Sequence, residues 1–169
     1  MKNVQTKTTD NAVVLALYPH RKGIAYACMK SPTSMIESKR YYLPALKSEY
    51  LNKSRQLLQY FCPDVVILED YTCRLSRKHK RVIRLIDDIV LQAKELDLNV
   101  SQYKREQIQD VFRQFGASTK NDIAQTIANW LPEYKKILPK PRNFYNPESS
   151  MQDEFDAISL AYTHYFLAK

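Results

Sequence analysis

Apolar residues fall in short runs along the first third of this chain and at helical intervals along the rest. Behind a polar leader over 1–11, Ala12–Leu17 is a compact apolar run suited to a buried strand. Pro19-His20-Arg21-Lys22-Gly23 predicts a turn, because Pro fixes φ and Gly admits unusual backbone angles. Ile24–Met29 then reads as a second strand and Met35–Tyr42 as a third, ending before Pro44. Three consecutive strands joined by turns are antiparallel neighbours. From Leu46 to Phe61, residues Leu46, Tyr50, Leu57, Leu58 and Phe61 share one helical face, and Pro63-Asp64 closes that helix.

Val65–Leu68 is β-branched enough for a central strand. A long helix over Lys80–Leu96 carries the stripe Val82, Ile83, Ile86, Ile89, Val90, Ala93 and Leu96, and Leu98–Tyr103 is a further strand. Two helices follow, Glu106–Phe115 and one from Thr119 to Leu131, with Thr119 or Ser118 as N-cap and Asp122 in the first turn. Pro132–Ser150, with Pro132, Pro139, Pro141 and Pro147, reads as a loop. Asp153–Ala168 closes the chain as a helix with apolar Ile158, Leu160, Ala161, Tyr165 and Leu167. No repeat or linker divides 12–169, so the pattern predicts one α/β domain with a mixed central sheet.

Charge narrows the class of partner. Lys and Arg number 26 against 18 Asp and Glu in 169 residues, a formal charge of +8, which suits a polyanion; a solvated basic surface is the plain alternative. No run approaches the roughly 18 apolar residues of a membrane span, and the leader lacks the apolar centre of a secretion signal. Cys28, Cys62 and Cys73 have neither CxxC spacing nor a paired His motif, so free thiols and a cytoplasmic setting are expected. Two glycines, Gly23 and Gly116, exclude a glycine-rich phosphate loop.

Glu69 ends the apolar run Val65-Val66-Ile67-Leu68, where α/β sheets place functional groups. Asp153 and Asp156, spaced i, i+3, share one helix face, and the three carboxylates together have the make-up of a divalent-cation site. The plain alternatives are a strand emerging into water and two acids at the positive end of a helix. The densest basic run holds Arg74, Arg77, Lys78, Lys80 and Arg81, fit to track phosphates without reading sequence, with Tyr71 beside it to stack on an unpaired base. Lys135, Lys136, Lys140 and Arg142 extend the same charge. Solvated charge clusters are the competing explanation.

Three segments carry a family resemblance. Val65–Glu69 looks like the strand that bears the essential Glu of RuvC-type Holliday junction resolvases. Gln114-Phe115-Gly116-Ala117-Ser118-Thr119-Lys120 resembles that family's Gly-containing turn followed by Lys. Asp153-Glu154-Phe155-Asp156-Ala157 through His164 is similar to its closing helix, D-x-x-D-A followed by an apolar run and a His. The order and intervals match over nearly the whole chain. The resemblance implies a ribonuclease H-like fold, with three antiparallel N-terminal strands, then alternating helices and strands, then a C-terminal helix. It also implies Glu69, Asp153 and Asp156 as catalytic residues and ligands of Mg²⁺ or Mn²⁺, Lys120 as a basic catalytic residue at phosphate, and a homodimer through the helix after Glu69.

By the same resemblance Val14–Pro19 matches the family's first strand, I-x-G-I-D-P-G, and Tyr18 then stands at the first catalytic Asp. A phenol with a pKa near 10 is a poor Mg²⁺ ligand at neutral pH. Gln109 stands where the family often has Lys, and the family's junction-inserting aromatic aligns nearer Thr72 than Tyr71. Three functions stay open. The first is a protein that binds branched or duplex DNA and has lost or weakened its nuclease activity. The second is an active nuclease in which Asp70 or a coordinated water replaces the missing ligand. The third is a non-catalytic module within a larger assembly.

Overall fold

A computed structural model describes residues 11–72, 79–141, 143–145 and 148–168. The strands are β1 (Val14–His20), β2 (Gly23–Ser31), β3 (Ser34–Tyr42), β4 (Val65–Asp70) and β5 (Asn99–Lys104). The helices are α1 (Lys47–Phe61), α2 (Lys80–Glu95), α3 (Arg105–Arg113), α4 (Lys120–Trp130) and α5 (Gln152–Leu167). One sheet runs β3-β2-β1-β4-β5. The first three strands pair antiparallel, and β1–β4 and β4–β5 pair parallel. The sequence predicts this mixed α/β arrangement and its element order. Among the described residues, no helix is long and apolar enough to cross a membrane.

Alternation along the pleat sorts the core into two layers. Val14, Ala16 and Tyr18 of β1 face the same way as Val65 and Ile67 of β4, under α3, α4 and α5. Leu15, Leu17, Val66 and Leu68 face the other way, under α1 and α2. Helix α5 packs on β1 and β2 and against α3 and α4, so Gln152 and every residue from Glu154 to Tyr165 are buried. A helix enclosed on all sides has no wet stripe.

Two local expectations need correction. Strand β1 continues through Pro19 to His20, and the hairpin loop is only Arg21-Lys22. Pairing with β4 ends at Ala16, so Pro19 removes no ladder bond on that side. Gly23 is required for space instead: a Cβ there would lie 1.7 Å from the Tyr41 carbonyl oxygen. Helix α1 ends at Phe61 as the sequence predicts, with Cys62 in the left-handed region (φ 45°) donating its N–H to the Leu58 carbonyl ahead of Pro63. Pro132–Ile137, read as loop, forms a 3₁₀ turn that buries Tyr134 against Phe155. Leu167, the last residue of α5, is exposed.

Candidate functional site

Because β1, β4 and β5 run parallel, their carboxyl ends open on one edge of the sheet. Ala16 pairs with Ile67, and two residues further on the pleat turns Tyr18 and Glu69 toward the α5 side. On β5, Tyr103 pairs with Glu69. The first turn of α5 brings Asp153 and Asp156 to the same place. All three carboxylates act on the Tyr18 phenol, joining residues more than eighty positions apart.

Tyr18 is the centre of this group and is buried. Burial raises its pKa well above the ordinary phenol value, and the negative fields of Asp156, Glu69 and Asp153 raise it further. The phenol is therefore neutral at any working pH. It has a hydrogen to donate and no charge to offer a cation.

Lys120 reaches the site through chain reversal. Gly116, in the left-handed region (φ 77°), stops the run after α3, and Thr119 caps α4 by accepting the Asp122 N–H at 3.1 Å. Asp122 in return accepts the Thr119 N–H at 3.0 Å, completing the predicted cap. Lys120, the next residue, donates to Asp156 Oδ2 at 2.9 Å and to Glu148 Oε1 at 2.8 Å. Gln152 Nε2 donates to the other Asp156 oxygen at 3.1 Å. Burial pushes the Asp156 carboxyl up, but Lys120 and then Arg105 outweigh it and hold the acid below its ordinary value. For Lys120, burial works against the charge and the two carboxylates prevail, so its pKa lies above the ordinary value.

His20 stacks on Tyr18 with ring centroids 6.4 Å apart and brings Nε2 within 3.6 Å of Asp153 Oδ2. Its carbonyl accepts the Tyr50 hydroxyl at 2.7 Å, which ties the hairpin to α1. His164 is a packing residue: Tyr103 Oη and its Nδ1 are 2.8 Å apart, and burial lowers its pKa, favouring the neutral ring.

The expected metal group is not formed. Among the described residues, no three or more His, Cys, Asp and Glu lie close enough to hold a metal ion. The chemistry of the pocket accounts for this. An ammonium occupies one face of Asp156, an amide the other, and a neutral phenol stands among the acids where a further carboxylate would neutralise a cation. These residues do not fit a divalent ion shared by Glu69, Asp153 and Asp156.

The basic run is only partly in view. Arg74, Arg77 and Lys78 lie outside the described residues. Lys80 is exposed at the start of α2. Arg81 turns its guanidinium to the Arg21 carbonyl at 2.9 Å and over the Tyr50 ring at 5.9 Å, bracing the β1–β2 hairpin. Tyr71 is half-buried against the α1/α2 core layer, so little of its ring is offered to a base. Burial and the fields of Glu69 and Asp156 raise its pKa.

Sequence reasoning missed Arg105, Gln152 and Glu148. Arg105 stands just past the end of β5, and the strand-end logic that selected Glu69 applies to it equally. Gln152, a helical turn before Asp156, is a legible i, i+4 partner. Glu148 sits in an irregular segment and has no such signal.

No protein-family model matches the chain, and no curated protein matches it. Solved structures do. Thermus thermophilus RuvC in complex with a Holliday junction substrate aligns with a TM-score of 0.67 at 18% identity, over 93% of this chain and 94% of that one. The yeast mitochondrial Holliday junction resolvase gives 0.60 at 13%, over 96% and 81%. The fowlpox virus Holliday junction resolvase gives 0.54 at 16%, over 93% and 99%. The chain has the ribonuclease H-like fold that these resolvases share.

Proposed function

We propose that this chain binds branched or duplex DNA on a RuvC-like fold and that its nuclease activity is lost or weakened. The observation that carries the proposal is Tyr18: a neutral phenol among Glu69, Asp153 and Asp156, with Lys120 already on Asp156. Metal-assisted cleavage positions the attacking water and the leaving oxygen on cations held by carboxylates. An acid clamped by an ammonium is poorly placed for that task. Binding needs no such group. Lys120 and Arg105 stand beside Asp156 at the carboxyl edge of the sheet, Lys80 is exposed at the start of α2, and the chain carries a formal charge of +8. One solved structure of this fold holds a Holliday junction substrate.

Gel-shift titration of a four-way junction, with cleavage followed in Mg²⁺ and in Mn²⁺, tests both halves. The expected outcome is binding that weakens steeply with salt and no cutting. Cutting at the rates of an efficient junction nuclease would overturn the loss of activity. Cutting restored by Tyr18→Asp would identify the missing ligand. We also take the protein to be a homodimer through α2, whose outer side exposes Leu91; sedimentation as a monomer would remove that part.

A further inference from the structure

Two adjacent aromatic rings stand almost wholly in solvent: Phe144 is 97% exposed and Tyr145 is 89% exposed. Among the described residues they are the two most exposed of the large hydrophobic side chains, and they are neighbours rather than scattered. The rings meet edge to face with centroids 5.6 Å apart, at 83°, so each restrains the other. The Tyr145 N–H donates to Asn143 Oδ1 at 3.1 Å, forming a local turn that presents both rings.

Position and charge select the occupant. Glu148, three residues past Tyr145, is bound by Lys120 at 2.8 Å, and Lys120 also holds Asp156. Three extended residues span at most roughly 11 Å, so the ring pair is tethered at the rim of the carboxylate site. Lys135, Lys136 and Lys140, all exposed, precede it. Exposed aromatics that follow a lysine-rich stretch and are tethered near a strand-end cleft match nucleic acid: phosphates pair with the ammonium groups while a base face meets a ring. A lipid surface would ask for a broader apolar face than two side chains supply.

We propose that Phe144 and Tyr145 form a wedge that stacks on unstacked bases of branched DNA beside the carboxylate site. This rests on the DNA-binding function proposed above. Bases flanking a branch point are the natural target, since an open branch interrupts their stacking on one side and little further unstacking is required.

The test uses the full chain and a four-way junction carrying 2-aminopurine at the branch point. Wild type is expected to change the emission of the probe on binding. Phe144→Ala/Tyr145→Ala should abolish that change and weaken affinity roughly 10- to 100-fold, the range expected for lost base stacking. The slope of log affinity against log salt should stay the same, because no charge is removed. Both rings are exposed, so the circular dichroism melt of the variant should match wild type. A variant that binds and perturbs the probe like wild type overturns the wedge and leaves DNA binding standing. No wild-type affinity for the junction overturns both. A variant that loses binding to phosphatidylserine vesicles while keeping wild-type junction behaviour assigns the rings to a membrane and overturns the proposal.

Discussion

The two faces of the sheet bury polar groups in opposite ways. Among the described residues, the buried polar side chains under α1 and α2 are Ser54 and Gln92, both neutral and satisfied together. Ser54 Oγ donates to Gln92 Oε1, and Gln92 Nε2 donates to the Leu51 carbonyl at 3.0 Å. Under α5 the chain buries Gln152, Glu154, Asp156, Ser159, Thr163 and His164. The hydroxyls of Ser159 and Thr163 fold back on helix carbonyls at 2.7 Å, a local solution. The two acids call on distant cations, Arg40 for Glu154 and Lys120 with Arg105 for Asp156. A core gains little from an ion pair that an apolar residue would replace. Charge kept on one face, against neutral closure on the other, marks where the fold is committed to more than stability.

The strongest way to break this contrast is to add charge to the charged face. Tyr18→Asp places a carboxylate in the combined field of Glu69, Asp153 and Asp156, at a position only 7% exposed. In chelator it should lose about 3–5 kcal/mol, the cost typical of an uncompensated buried charge. For a domain of this size that is a fall in Tm of roughly 10 °C. Mn²⁺ should return part of the loss by neutralising the enlarged acid group. Leu58→Ala, in the other layer at 2% exposure, should cost about 2–5 kcal/mol through its cavity, with no response to metal. If both variants respond alike to Mn²⁺ in thermal melts, the two faces do not differ as argued.

Much of this contrast was legible in the sequence. The order of elements, the Thr119 cap and the placing of Glu69 at a strand end follow from period, capping chemistry and β-branching. So does the meeting of Glu69 with Asp153 and Asp156 near one phenol, once the segments are matched to a fold. The polar interior of α5 was harder to see. Its apolar residues were visible, but a helix packed on all sides also buries its polar ones, and periodicity does not say which. Glu154 and Asp156 are alike in sequence, yet one turns to Arg40 on β3 and the other to Lys120 on α4. That division is set by tertiary packing alone. The 3₁₀ turn after Pro132 is not legible because four prolines suggest an open loop, whereas Tyr134 supplies a single strong anchor.

A smaller effect should follow from removing the charge at Asp156. Its folded-state pKa lies below the ordinary value of 3.8, because Lys120 and Arg105 outweigh burial. The sign is then fixed: its stabilising contribution is present above pH 3.8 and is lost as pH falls through the lowered value. Asp156→Asn should lower stability by about 1–2 kcal/mol near neutrality, a charge-assisted bond discounted because Lys120 is more than a third exposed. It should also flatten the acid limb of the profile. Urea titrations of both proteins between pH 2 and 6 measure this. Parallel acid limbs would show that the pair does not hold the carboxylate in its charged form.

The smallest expected effect lies on the opposite face and tests whether function is confined to one side. Lys53 sits 4.1 Å from the Tyr41 ring centroid at a groove of about 460 Å³, lined also by Tyr26, Lys39, Tyr60 and Phe61. By composition alone this groove resembles a binding site as much as the strand-end cleft does, with aromatics and two lysines. Its acid, Glu37, is engaged by the Tyr26 hydroxyl and lies 3.5 Å from Lys39, so its charge is answered within the groove. An exposed cation–π contact is worth roughly 0.5–1 kcal/mol. Lys53→Ala should therefore shift Tm by no more than about 4 °C. Junction affinity and its salt slope should not change, since this lysine lies across the sheet from the carboxylate edge. A reduced slope for Lys53→Ala would place a phosphate contact on the α1 side and extend the nucleic-acid surface around the β3 edge.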